Sequence, residues 1–219
     1  MSASTPPPPP PSSPVPPPPP GAPLPSSGYP VSYSFDAPER VARWRPLVHW
    51  LLVIPHVVIL YALAIVSSIV VLISWFAGVI LGRIPEGLQS ITVLYSRYSA
   101  RVTSYLQFQR GEYPPFNFST DFADPGGDRV RFDVVPQIDG RSRLTIFFRF
   151  LLVIPLMFVS IFYVIAWYVV MVIGFFAVII LGRWPAGLQS FLVGFNRFNS
   201  RVGAYYNLLT DDYPPFGFQ

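Results

Sequence analysis

Two uninterrupted apolar runs dominate the chain. Between Arg45 and Arg83, and again between Arg149 and Arg183, no Asp, Glu, Lys or Arg occurs. Each run exceeds the roughly 18 apolar residues that mark a membrane-spanning candidate. As one straight helix, a run of about 35 residues would reach about 52 Å, well beyond a hydrocarbon core of about 30 Å. Two helices of about 17 residues would fit that core. Folding each run into a hairpin also returns Arg43, Arg45, Arg83, Arg97 and Arg101 to one face, as the positive-inside rule favours. The hairpin tips fall around Ser67 and Ser68, or Trp167 and Tyr168. Those tips lack the Gly, Pro or Asn that a tight turn uses. The rival is one long helix per run, kinked at Pro55 and Pro155. The hairpin predicts about four crossings, with the two halves of the chain parallel.

Each run is framed by the same elements. Before it stands an alternating segment, "PVSYSFD" or "DRVRFDVV", which reads as a short strand outside the membrane. After it comes "ILGRIPEGLQS" at residues 80 to 90, or "ILGRWPAGLQS" at 180 to 190. Gly82 and Gly182 stand where a helix wants a left-handed cap, and Pro85 and Pro185 suit the first turn of a new helix. The motif is a corner. Beyond it, Ile91, Leu94, Tyr98, Val102 and Tyr105 recur at helical spacing, as do Phe191, Phe195, Phe198, Val202 and Tyr205. Arg97 and Arg101, like Arg197 and Arg201, stand four apart on another face. This pattern predicts an amphipathic helix lying along the membrane interface, with its arginines at phosphate level. Arg83 and Arg183, at the corner, are placed to snorkel to headgroups. The six arginines, Arg83, Arg97, Arg101, Arg183, Arg197 and Arg201, are the candidate lipid-headgroup site.

The framing elements recur because the chain is a tandem duplication. Residues 31–118 align on 131–218 without a gap, and about 30 of the 88 positions are identical. The matches cluster at "LLVIP", at the corner, at the paired arginines and at the closing "YPPF", which reads as an aromatic and proline plug on the helix end. The domain organisation is a Pro-rich tail over 1–28, repeat one over 29–118, a turn-rich linker over 119–128 and repeat two over 129–219. The tail is nearly all Pro, Ser, Ala and Gly and is expected to be disordered, a spacer rather than a recognition ligand. The fold class is all-α integral membrane, built of two repeats, each a short exterior strand, a transmembrane hairpin and an interfacial helix.

Composition sharpens this picture. Residues are 52% hydrophobic and 12% charged, against about 25% charged in ordinary soluble domains. All 15 basic residues are Arg, giving a net charge of +4. With the arginines crowded against apolar runs and no nucleic-acid motif around them, anionic lipid is the expected partner and nucleic acid is not. The lysine-free composition points to a GC-rich bacterial genome. No cysteine is present, which excludes disulfides, thiolate catalysis and cysteine metal sites. His49 and His56 lie on roughly one helical face, but Arg149 and Leu156 replace them in repeat two, which argues against a metal or proton relay. No nucleophile, base and orienter assemble from motif spacing, and no phosphate-binding glycine loop occurs. No catalytic residue, metal or cofactor is assigned.

The order "IPH", "WFAGVILGRIPEGLQS", "RYSARVTSY" and "YPPF" resembles a bacterial membrane domain, the domain of unknown function family 4389. The likeness covers residues 29–118 and 129–218 and implies a membrane protein without a known reaction. The expected function is a non-enzymatic scaffold or accessory subunit of the bacterial inner membrane, multi-pass, with both termini cytoplasmic and with a membrane-protein partner or a second copy. A small transporter or channel is the alternative, although the runs offer only serines and two histidines for an ion path. A third reading, a lipid-modifying enzyme with Arg83 or Arg183 on phosphate and Asp211 or Asp212 as base, has no motif behind it.

Overall fold

The computed structural model describes residues 28–218, so the Pro-rich tail, apart from Gly28, lies outside the described residues. Repeat one contributes β1 (Val31–Phe35), α1 (Arg45–Leu52), α2 (Ile54–Leu81) and α3 (Glu86–Leu106). Repeat two contributes β2 (Val130–Val134), α4 (Arg143–Phe147), α5 (Arg149–Leu181) and α6 (Ala186–Tyr206).

The expected hairpins do not form. Each apolar run is one continuous helix through its supposed tip, α2 with 28 residues and α5 with 33. Nothing in "LAIVSSIVV" breaks a helix. The Ser68 hydroxyl donates back to the Ala64 carbonyl at 2.8 Å, a bond made within helical geometry. The proline reading is half right. Pro55 cannot donate to the preceding turn, and the helix is interrupted at Val53, separating α1 from α2. Pro155 is carried inside α5.

The corner folds as its residues dictate. Gly82 and Gly182 adopt φ of 69° and 68° and end the long helices, conformations that cost a side-chain-bearing residue energy. Pro85 and Pro185 are the caps immediately before α3 and α6. The helix beyond each corner does not present its apolar stripe outward, as its amphipathic pattern predicts, but packs it on the long helix before it. α3 runs back antiparallel along α2: Ile84 and Leu88 pack near Val79 and Trp75, while Tyr98, Val102 and Tyr105 pack near Val53, Ile59 and Leu63. The apolar stripe of α3 is therefore buried by protein. α6 returns along α5 in the same way, from Trp184 and Leu192 beside Val178 to Tyr205 beside Val153 and Leu156.

The two repeats interlock across a pseudo-dyad. β1 and β2 pair antiparallel, Ser32 opposite Asp133 and Tyr33 opposite Phe132. Since positions 100 apart are equivalent, these two pairs exchange on swapping the repeats, and the dyad passes between them. Each strand packs on the other repeat's helix, β1 on α6 and β2 on α3. Val31, Phe132 and Val134 join Val93 and Ala204 in one core cluster. The ends of the long helices are exchanged as well. Ile146 of α4 fills the space beside Gly78 near the end of α2, and the Val41 amide donates to the Gly182 carbonyl at 2.9 Å. α5 thus begins where α2 ends, so the long helices run antiparallel, where a hairpin architecture would place the repeats parallel.

Candidate lipid-facing surface and the buried arginine network

α2 and α5 are each long and apolar enough to cross a bilayer, and in the most apolar window of each only 17% of residues are buried. A helix at the core of a soluble domain would be mostly enclosed. Here Ile54, Val58, Tyr61, Ile65, Ile69, Leu72, Phe76 and Ile80 form an exposed stripe along α2, and Phe158, Ile161, Ile165, Val172, Phe176 and Ile180 continue the pattern on α5. Such contiguous apolar surface marks an interaction face.

The six candidate arginines divide between two fates. Arg83 and Arg183 are exposed at the corners, and Arg83 makes only a loose 3.9 Å pair with Asp139. Arg97, Arg101 and Arg201 are 2%, 0% and 5% exposed, which removes them from headgroup contact. Arg97 donates to the carbonyls of Phe132, Asp121 and Phe122 and pairs with Asp124 at 3.3 Å. Arg101 meets the other Asp124 oxygen at 2.8 Å. Half-buried Arg197 donates to the carbonyls of Tyr33 and Phe218, and Arg201 lies over the Tyr29 ring. Arg97 thus holds β2 and Arg197 holds β1. The repeated arginines clamp each repeat's helix to the other repeat's strand.

Asp124 is the acidic partner that linear reading left in a linker. It also accepts from the amides of Gly126 and Phe132. Arg110 donates to both carboxylate oxygens of Asp128 at 2.6 Å. Arg149 at the start of α5 and Arg141 just before α4 share Asp211. Burial holds the Arg141 guanidinium down to about 10 despite Asp211, and burial raises the Tyr33 phenol to about 12. The hydrogen bond from Arg129 holds the Glu112 carboxyl below its ordinary range.

Two exposed arginines stand outside the candidate site: Arg43, which the hairpin reading places on the arginine face, and Arg143. Arg143 lies over Gly82, where an added β-carbon would meet its Nε at 3.0 Å, and Arg43 lies over Gly182 at 3.4 Å. Strand exchange therefore gathers Arg83 with Arg143 at one end of the molecule and Arg183 with Arg43 at the other. A cavity of about 610 Å³ opens between the middle of α2 and the start of α5, lined by Ser67, Val71, Trp75, Tyr95, Arg149 and Tyr206.

The family model described as Domain of unknown function (DUF4389) matches residues 43–117 and 143–217. The chain belongs to the DUF4389 family. It carries two copies of the domain, offset by 100 residues, and no curated protein or solved structure matches it. In the first DUF4389 copy, His49 Nδ1 donates to the Tyr105 carbonyl at 2.9 Å. In the second, Arg149 donates to the equivalent Tyr205 carbonyl at 3.0 Å. Different residues therefore satisfy the same helix end. The "YPPF" segments close over it: Tyr113 packs edge-on against Tyr105, and Tyr213 against Tyr205. Among the described residues, no group of three His, Asp or Glu could hold a metal.

Proposed function

We propose that the protein is a non-enzymatic membrane protein of a bacterial cytoplasmic membrane, a scaffold or accessory subunit whose arginines engage anionic headgroups. The observation that carries this reading is the continuous apolar surface of α2 and α5, ended on both sides by exposed arginines, Arg83 with Arg143 and Arg183 with Arg43. Apolar side chains gain about 25 cal/mol per Å² on leaving water, so this surface drives the protein into acyl chains. A guanidinium beside them meets phosphate with paired donors. The buried guanidinium groups of Arg97, Arg101, Arg110 and Arg149 are engaged with the protein's own carbonyls and carboxylates, which supports a structural role for them.

The test is a quadruple variant, with Arg43, Arg83, Arg143 and Arg183 each changed to Gln, examined by native mass spectrometry after extraction from membranes rich in phosphatidylglycerol. The parent is expected to retain anionic lipid and the variant to lose most of it. Equal retention would sink the headgroup assignment. A parent chain that is monodisperse in buffer without detergent would sink the membrane reading itself.

A further inference from the structure

Resting on that membrane reading, the geometry points to a binding mode that the length of the apolar runs conceals. We propose that α2 and α5 do not cross the bilayer but lie in its plane, embedded in a single leaflet. The pseudo-dyad then stands along the membrane normal, and the β1–β2 sheet faces water.

Two polar ribbons run the full length of the long helices. Residues 29–41 begin beside the start of α5, where the Tyr29 hydroxyl donates to the Asp212 carbonyl at 3.2 Å. They end at the far end of α5, where the Val41 amide meets Gly182. On the way they carry Asp36, Glu39 and Arg40. Residues 113–141 make the equivalent journey. Phe116 stacks on His56 near the start of α2 and Tyr113 packs against it at a tilt, and Ile138 and Arg141 bond to Ile84 and Gly82 at its end. This second ribbon carries Asp121, Asp124, Asp128, Arg129, Asp133 and Asp139. If α2 crossed a bilayer and α3 returned beside it, the second ribbon would have to be the next crossing. Asp121, whose backbone carbonyl is held by Arg97 near the middle of α3, is exposed and lies in no ion pair among the described residues, and charged side chains do not face hydrocarbon without a partner or water.

The strand pair and the long helices also lie on different sides of the α3–α6 pair. Among the described residues, the strands pack on α3 and α6 and on neither long helix, and α2 does not pack on α5. The strand pair and the apolar helices are therefore separated by the α3–α6 pair. An in-plane placement puts one side in water and the other in lipid. A spanning placement puts both in lipid.

The exposed arginines favour the same placement. Spanning would set them on both faces of the membrane, Arg83 and Arg143 on one and Arg43 and Arg183 on the other, against the cytoplasmic bias of basic residues. It would also invert repeat two relative to repeat one. In the plane, all four reach headgroups of the same leaflet. Length agrees: helices of about 42 Å and about 50 Å would need tilts beyond the usual range to match a core of about 30 Å, whereas an in-plane helix has no length to match.

The chain has no cysteine, so single cysteines report directly. Glu86→Cys marks the end of α2, Ala186→Cys the end of α5 and Ser34→Cys the sheet, and all three positions are exposed. A membrane-impermeant maleimide is applied to right-side-out and to inverted vesicles containing the full chain. All three sites are expected to label from one and the same side, while the protein resists alkaline carbonate extraction. Labelling of Glu86→Cys and Ala186→Cys from opposite sides overturns the in-plane arrangement and leaves the membrane reading standing. Release by carbonate overturns both. Nitroxides at Val58, Ile69 and Ile80 give a second readout: similar depths are expected along α2, and a deep centre between two shallow ends overturns the proposal.

Discussion

His56 and Tyr98 are both enclosed, with Nδ1 and the phenol oxygen 2.6 Å apart. Repeat two places Leu156 and Phe198 at the equivalent positions, both buried. The repeats have thus kept the pair either wholly polar or wholly apolar, because a mixed pair strands one polar group away from water, at a cost of about 1–3 kcal/mol. His56→Leu alone or Tyr98→Phe alone is expected to lower stability by about that much, and the double variant to recover most of the loss. Thermal unfolding of the four proteins in one detergent, read as a double-mutant cycle, checks this. Additive losses would show that the hydrogen bond does not couple the two sites. The absence of the histidines from repeat two was legible in sequence. That Arg149 takes over the carbonyl held by His49 was not, because the partner lies 56 residues away.

At the scale of elements, the periodic and punctuating residues were the readable ones. The glycine-proline corner, the helical stripes of α3 and α6 and the two alternating strands all occur where the pattern puts them. The hairpin did not, because the assumption that an apolar run must match bilayer thickness was stronger than the local chemistry, which contains no turn residue. The arginines were misplaced for a related reason. Helical spacing gives the face a residue occupies but not what covers that face, and for Arg97 and Arg101 the cover is β2 and its approach segment. Fit between elements is equally invisible in one dimension. Gly174 sits in α5 against the Trp184 ring, whose nearest atom would lie 1.9 Å from an added β-carbon. The indole is also held from its far side, donating to the Phe108 carbonyl at 2.9 Å. Gly174→Ala, a change that raises helix propensity, is expected nonetheless to destabilise by about 1–3 kcal/mol through overpacking. The equivalent change Ser74→Ala in repeat one, where Ile84 replaces Trp184, is expected to cost less. Melting temperatures of the two variants measured side by side decide it, and equal shifts would count against the packing account.

The whole molecule depends on exchange between its repeats, and Asp124 is the residue on which that exchange converges. It lies between Arg97 and Arg101 of repeat one and accepts the Phe132 amide of the strand from repeat two. Removing one member of a buried ion cluster leaves the others charged and enclosed, which costs about 3–5 kcal/mol. A surface pair such as Arg83 with Asp139 is worth at most about 1 kcal/mol. Asp124→Ala is therefore expected to lower stability by several kcal/mol, and Asp139→Ala by almost nothing. Because Asp124 ties β2 to α3, the loss should begin at the strand pair. Hydrogen exchange in detergent is expected to rise first at residues 31–35 and 130–134 of Asp124→Ala, with α2 and α5 protected until global unfolding. Uniform loss of protection would mean that the strands and helices unfold as one unit and that the clamp is not a separable element. The same experiment bears on the membrane face. If the sheet opens while the long helices stay protected, the helical layer is held by contacts among its helices, α1 and α4 included, without the strand pair.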